Sequence, residues 1–471
     1  RNRNTDTRIL TDILEFLETI FVAFGDYAWG MPLLILLIGG GLYFVIHSRF
    51  QPYKYFKHSI AVITGKYDDP NAPGDINHFQ ALSSALAATV GMGNISGVAI
   101  AIVMGGPGAL FWMWVSALVG MMTKFYTCTL SVMYRGKDSL GKLQGGPMYV
   151  IREGLGEKWK PLAAFFALCG LIGCTPMFQS NQLTQIVRDK LLIPYGVVES
   201  GATFTADAVI GLVLVGLVSL VIFGGIRRIG NVAAKLVPLM VVLYCVSVLY
   251  IVFSHFSEIP YYFGLIINDA FTGSAVVGGA VGEVIRTGIR RAAFSNEAGI
   301  GTEALAHGAA KTKEPVREGL VAMIEPVIDT LLVCTMTGLA ILMTGVWTDT
   351  SADGVTLTAM AFSAGLPGQL GVFILIICVL IFSLTTMFTY SYYGTKCLGY
   401  LIGAERQHWY NYFYIFSIWF GSVASINAVI SLVDGAFAMM AIPTMVSTLL
   451  LSPKVREAAK EYFARLSAKA L

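Results

Sequence analysis

The stretch Thr89-Val90-Gly91-Met92-Gly93-Asn94-Ile95-Ser96-Gly97 decides how this chain reads. It lies inside an apolar run from Phe79 to Met104, long enough for one membrane helix. Three glycines in so short a stretch weaken a helix, each by about 1 kcal/mol relative to alanine. Unwound backbone at membrane depth is tolerated only where it is buried in protein or lines a cavity. The alternative is a face of small residues against which a second helix packs.

Composition supplies the setting. The chain has 471 residues, of which 55% are hydrophobic and 13% charged; a soluble domain carries about 25% charged residues. The class is an all-α polytopic membrane protein, read as one transmembrane domain over 1–471. The start, Arg1-Asn2-Arg3-Asn4, leads into an amphipathic stretch without an A-x-A site, so no cleavable signal peptide is expected. The seven cysteines make neither a disulfide framework nor a zinc spacing and read as small buried residues.

Eleven spans are expected, at 31–47, 79–104, 110–134, 161–188, 208–224, 236–254, 274–288, 318–345, 369–396, 409–426 and 430–451. Before them, Leu10, Ile13, Leu14, Leu17, Ile20, Phe21 and Phe24 share one face of a helix over 9–24, either interfacial or packed. Segments 48–78, 135–160, 225–235, 286–317, 396–408 and 452–471 hold 26 of the 32 Lys and Arg residues. The positive-inside rule then places these segments and the C-terminus in the cytoplasm, with the N-terminus and residues 1–30 outside.

The break in 79–104 opens a block of five helices that ends near 254. A second block, 274–451, also starts on a Gly-interrupted helix, at Gly278, Gly279 and Gly282. Five is odd, so the blocks have opposite topology: a five-plus-five inverted repeat with two discontinuous helices, after one extra helix at 31–47. Paired interrupted helices at matching positions mark the binding site of secondary transporters.

Several motifs converge on one family. The run from Gly105-Gly106-Pro107-Gly108 through Phe111-Trp112-Met113-Trp114 to Gly120 resembles the signature of the alanine or glycine:cation symporters. Gly145-Gly146-Pro147-Met148-Tyr149, Phe294-Ser295-Asn296-Glu297-Ala298-Gly299-Ile300-Gly301, Asp329-Thr330 and Tyr390-Ser391-Tyr392-Tyr393-Gly394 also resemble it. The resemblance runs from about residue 15 to about 455. It implies sodium-coupled uptake of a small neutral amino acid by a transporter in the cell membrane. Val90-Gly91-Met92-Gly93-Asn94 is similar to the broken first helix of neurotransmitter:sodium symporters, a distant group of the same fold. Four departures from the family pattern, at Met92, Thr389-Tyr390, Cys174-Thr175-Pro176-Met177 and Thr127, bear on the substrate more than on the fold.

An amino acid is a zwitterion and needs partners at both ends. The amide end of the half-helix after the first break suits a carboxylate, through the backbone of Gly91, Met92 and Gly93. Carbonyls near Gly278 and Gly279 suit the ammonium. Both sets of glycines have packing as their alternative role. Na⁺ is a hard cation and takes oxygen ligands. The family-type fold implies one site from the carbonyls of Ala87 and Val90 with the hydroxyls of Thr385 and Thr386; adjacent helical threonines otherwise bond back to their own turn. A second ion would use Thr89, Asn94 and Asp329, Asp329 having a structural pair as its alternative. Family position implies Gln179 as a substrate contact, against an interhelical hydrogen bond for it or Asn181, with Tyr390 and Phe178 as pocket walls. Lys124 is expected to pair with Glu325, Asp329 or Glu283. Arg290, Arg291 and Glu297 read as an inner gate or a cytoplasmic anchor.

Competing classes find less support. There is no H-E-x-x-H, no G-x-S-x-G and no paired aspartates of an intramembrane protease, so no enzyme is expected. No repeated T-V-G-Y-G filter points to a channel. A sensor on a transporter fold would carry a soluble signalling domain, whereas 452–471 is a short basic helix. Proton or Li⁺ coupling, and a larger substrate such as glutamine, remain open within the transporter class. The basic residues are spread over loops on one face, which gives no nucleic-acid surface.

Overall fold

The computed structural model describes residue 16 and residues 18–273, 281–348, 352, 354–424 and 426–468, with backbone only at 426–430. The described chain is helical apart from loops and one two-stranded ribbon, Gly136–Lys137 with Leu143–Gln144. Helices α1 (Glu18–Ala28) and α2 (Met31–His47) meet at a 42° bend. The apolar run 79–104 is two helices, α3 (His78–Thr89) and α4 (Gly93–Gly105), bent by 50° at the glycines. α3 opens on a capping box: the Asn77 side chain accepts from the Gln80 amide and the Gln80 side chain accepts from the Asn77 amide.

The chain continues through α5 (Ala109–Met133), α6 (Lys160–Gly173), α7 (Met177–Val187), α8 (Phe204–Ile222), α9 (Gly225–Ser254) and α10 (Ile259–Thr272). Next come α11 (Val281–Asn296), α12 (Glu303–His307), α13 (Pro315–Met343), α14 (Gly354–Gly365), α15 (Leu370–Ile402), α16 (Trp409–Val423) and α17 (Ile426–Ser467). Among the described residues seven helices are long and apolar enough to cross a membrane, or up to nine when each bent pair is one span. In α5, 72% of the most apolar window is buried, against 28% in α8. α5 is therefore core, and α8 turns most of its surface outward, as a lipid-facing helix does.

Gly278 and Gly279, where the second interrupted helix is expected to break, lie outside the described residues, and Gly282 is helical. Two other expectations change. Among the described residues a break falls after Asn296, where Glu297, Gly299 and Gly301 all have positive φ (58°, 88° and 98°). Helix α11 consequently runs on past 288 to the level of the first break. This carries Arg286 and Arg290 to Asp26, at the end of the molecule opposite Arg317 and Tyr462. Residues 286–291 therefore do not belong with the other basic segments. Finally, α17 continues without interruption from the last span into the tail, through Pro443 and Pro453.

The two broken helices are tied together at the basic end. The Asp75 amide donates to the Ala309 carbonyl (2.8 Å) and the Lys311 amide to the Ile76 carbonyl (2.7 Å). Gly74 sits beside this bridge at φ +138°, and a Cβ there would collide with the Ala310 carbonyl oxygen, so the close approach requires glycine.

Candidate functional site

The two breaks face each other at the centre of the fold. α3 ends with the Val90 amide on the Leu86 carbonyl (2.7 Å). The Asn94 side chain then reaches back, its Oδ1 accepting from the Gly91 amide (2.8 Å). Ser96 and Thr337 donate to the carbonyls of Met92 (3.1 Å) and Asn94 (2.7 Å), and Thr358 to that of Ile95 (3.0 Å). These bonds satisfy carbonyls around the loosened turn, as buried backbone requires. The first amides of α4, near Met92 and Gly93, open a helix and lack intrahelical partners there. A Cβ on Gly93 would lie 3.3 Å from Ser295 Cα, so the second broken helix passes directly over this half-helix.

Asp329, fully buried on α13, links the breaks. Its Oδ1 accepts from Asn94 Nδ2 (2.6 Å), and its Oδ2 from the hydroxyls of Ser295 (2.9 Å) and Thr330 (2.7 Å). The expected trio of Thr89, Asn94 and Asp329 is thus partly assembled, since Asn94 and Asp329 touch. The Thr89 hydroxyl bonds back to the Ala85 carbonyl (3.2 Å). Thr386 Oγ1 lies against Gly91, where a Cβ would come within 2.5 Å of it, while also donating to the Phe382 carbonyl (3.0 Å). Thr385 faces elsewhere, with its hydroxyl on the Ile381 and Phe382 carbonyls and on Met240 Sδ (3.6 Å) of α9. Ala87 and Val90 are both buried on the same stretch as Gly91.

Aromatic rings pack beside the breaks. Phe178 stands edge-on to Phe294 with centroids 5.2 Å apart, and Phe437 lies 5.7 Å from Phe294 and 6.1 Å from Tyr390. The Tyr390 hydroxyl donates to Glu297 Oε1 (2.5 Å), and Thr302 donates to the other oxygen of that carboxylate. The chain bends before Phe178 at Cys174-Thr175-Pro176, between α6 and α7; Pro176 has no amide hydrogen to continue a helix. Gln179 is buried and its Oε1 has no hydrogen-bond partner. Asn181, one turn face away, is fully used: its Nδ2 donates to the Gly421 (3.1 Å) and Ala424 (2.9 Å) carbonyls at the end of α16. Phe294 and Ser295 were legible only as motif residues, and Glu297 only as a charge beside Arg290 and Arg291, because the glycine density drew attention to 278–282.

Charges close the site on two sides. Toward the Asp26 end, Arg290 Nη2 (2.9 Å) and Arg291 Nη2 (2.6 Å) both donate to Asp434 Oδ2 on α17. The Arg291 guanidinium also lies 5.4 Å from the centre of the Phe294 ring. Arg290 and Arg291, expected as an inner gate or a cytoplasmic anchor, are thus both paired with Asp434. Toward the basic end runs a fully buried chain. Lys124 pairs with Glu325, Glu325 with His307, His307 Nδ1 with Glu318 (2.5 Å), and Glu318 with His78. Of the three acids expected for Lys124, Glu325 is its partner.

The comparisons with known proteins agree with this geometry. The sodium:alanine symporter family matches residues 14–470. An uncharacterized transporter of Haemophilus influenzae is 40% identical over 460 residues, covering 96% of this chain and 97% of its own. The sodium/alanine symporter AgcS of Methanococcus maripaludis is 36% identical over 460 residues, with 96% and 97% covered. The solved structure of MhsT in complex with L-phenylalanine matches with a TM-score of 0.53 at 11% identity, over 82% of this chain and 98% of MhsT; that likeness is one of fold. With paired helix breaks around a buried polar centre, and family and relatives matching over almost its whole length, this chain belongs to the sodium:alanine symporter family.

Proposed function

We propose that this chain carries a small neutral amino acid, alanine or glycine, into the cell together with Na⁺ by alternating access. The observation that supports it most is the close approach of the two broken helices, where a Cβ on Gly93 would lie 3.3 Å from Ser295 Cα, with Phe178 against Phe294 and the next residue, Gln179, carrying a buried unpartnered oxygen. The amides of Met92 and Gly93, with Gly91 beside them, would take the substrate carboxylate. Gln179 Oε1 and the carbonyls ending α11 would take the ammonium, the role first expected of Gly278 and Gly279. Phe178 and Tyr390 would wall the methyl-sized side chain. One Na⁺ would sit between the carbonyls of Ala87 and Val90 and the hydroxyl of Thr386, with Thr385 the more remote member. A second would sit near Thr89, Asn94 and Asp329.

In this reading 79–254 and 274–451 are the inverted repeats, the N-terminus lies outside, and 452–471 lies in the cytoplasm. The test is uptake of labelled alanine and glycine into proteoliposomes under an inward gradient of Na⁺, K⁺ or H⁺. Na⁺-driven accumulation is expected. Accumulation driven by H⁺ alone, or competed by glutamine and not by alanine or glycine, would replace this reading. Asn94→Ala and Thr386→Ala should each raise the Na⁺ concentration needed for half-maximal uptake several-fold. Unchanged Na⁺ dependence in both would remove the ion assignment.

A further inference from the structure

We propose that the turn after α2, residues 48–54, seats one anionic glycerophospholipid, with the headgroup phosphate on Arg49, Arg456 and Lys460. The inference stands on the membrane-spanning fold alone and does not depend on the transported substrate.

The turn is strained in a way that sorts two neighbouring side chains. Arg49 and Phe50 both adopt left-handed backbone, at φ 55° and 57°. Side chains other than glycine resist that region, and a bulky aromatic resists it most. The strain is held by the Arg49 amide on the Ile46 carbonyl (3.0 Å) and the Phe50 amide on the Val45 carbonyl (3.2 Å). Its consequence is that Arg49 lines a polar cavity of about 370 Å³, while Phe50 lines a separate apolar groove of about 530 Å³.

The cavity is built for an anion. Arg456 and Lys460, four residues apart on α17, line it with Arg49, and no acidic residue does. Among the described residues none of these three cations has an ion-pair partner; the nearby Glu457 is spent on Lys454 (3.7 Å). The cavity wall includes Tyr126, whose hydroxyl bonds to His47 Nδ1 (3.0 Å) and whose ring stacks on Phe44 at 4.6 Å. Three uncompensated cations converging on one hollow at the basic end of a membrane protein is the arrangement that takes a lipid headgroup.

The groove argues for a lipid in preference to a free phosphate. Leu42, Phe50 and Leu118 line it and are 45%, 56% and 50% exposed. Tyr53 is fixed along its side by a hydrogen bond to the Leu118 carbonyl (2.7 Å). Leu118 in the groove and Tyr126 at the cavity are eight residues apart on α5, about 12 Å along the helix axis. The apolar end is thus the deeper one, and the cationic end is nearer the basic face. Head and tail of a phospholipid have that order.

The experiment is native mass spectrometry of the purified full chain, titrated with dioleoyl-phosphatidylglycerol or dioleoyl-phosphatidylcholine. The parent should bind the anionic lipid at least tenfold more tightly. Each of Arg456→Gln and Lys460→Gln should weaken that binding about fivefold, and the pair about thirtyfold, at the usual worth of a basic side chain near an anionic membrane surface. Arg49→Asn, which tolerates the left-handed backbone, should act likewise. Phe50→Asn should weaken dioleoyl-phosphatidylglycerol and leave the dihexanoyl form nearly unchanged. Equal binding of both headgroups, or undiminished binding by the double variant, would overturn the site. Displacement of the lipid by millimolar inorganic phosphate would overturn the lipid in favour of a free phosphate. The thermal midpoint of each variant in neutral detergent, expected to match the parent, separates lost binding from lost folding.

Discussion

At the scale of single residues, Gln179 and Asn181 show what neighbours on one helix can do. Both are amides in an apolar segment, where an unpaired polar group is costly. Asn181 spends its donor on α16, and Gln179 leaves its acceptor empty. A side chain whose oxygen bonds nothing in the protein contributes little to folding through it. Gln179→Leu should therefore leave the thermal midpoint unchanged or raise it. The same change should raise the substrate concentration for half-maximal uptake ten- to a hundredfold, the worth of a hydrogen bond to a charged group of about 1.5–3 kcal/mol. A large drop in stability with normal uptake would make Gln179 a packing residue. Thr385 and Thr386 divide in the same manner. Both bond back to their own helix, yet only Thr386 lies against Gly91. Adjacent positions on a helix point about 100° apart, so sequence names the pair and only packing chooses the member.

At the scale of elements, the first break was legible in the sequence, and the break after Asn296 was not. Gly91, Gly93 and Gly97 fall within an apolar run, and the helix indeed bends there. The same criterion applied to 274–288 picked Gly278 and Gly279, which lie outside the described residues. At the break after Asn296 the signal is positive-φ backbone at Glu297, Gly299 and Gly301, beside the polar pair Asn296-Glu297. Glycine density measures how weakly a helix is favoured; it does not say where neighbouring elements supply the bonds that let it open. At Gly301 a Cβ would strike Thr444 Oγ1, so α17 holds that turn in place. Gly93→Ala tests the apposition of the breaks. Its methyl would meet Ser295 Cα at 3.3 Å, tighter than ordinary contact. We expect uptake to fall more than tenfold while stability falls by about 1–3 kcal/mol, the usual cost of one extra methyl in a filled core. Normal uptake by this variant would show that the two half-helices need not touch.

At the scale of the whole molecule, the central site is closed by charge on both sides. Arg290 and Arg291 meet Asp434 on one side; Lys124, Glu325, His307, Glu318 and His78 form the chain on the other. Buried pairs are costly to halve, because the survivor is left charged without water. Asp434→Asn should lower stability by about 3–5 kcal/mol, and the double change with Arg291→Leu should recover part of that. Glu318 serves both His78 on α3 and His307 on α12, so it joins the two broken helices. Glu318→Gln should cost a similar amount, read by thermal denaturation, and should slow uptake more than it weakens substrate binding. Equal stability of parent and variant in either case would show that the pairs are already open to water.

The sequence by itself determined that this is a helical membrane protein, that one helix is broken at Gly91–Gly97, and that the chain resembles cation-coupled amino-acid symporters. Those properties follow from local composition, because bilayer thickness and helix propensity act on short segments. Only the tertiary structure decided that a helix break lies at Glu297–Gly301, that Arg290 and Arg291 pair with Asp434, and that Lys124 pairs with Glu325. Each of these depends on partners about 140 to 200 residues away in the chain or on bonds that replace those of a helix, and no local pattern encodes which distant partner arrives.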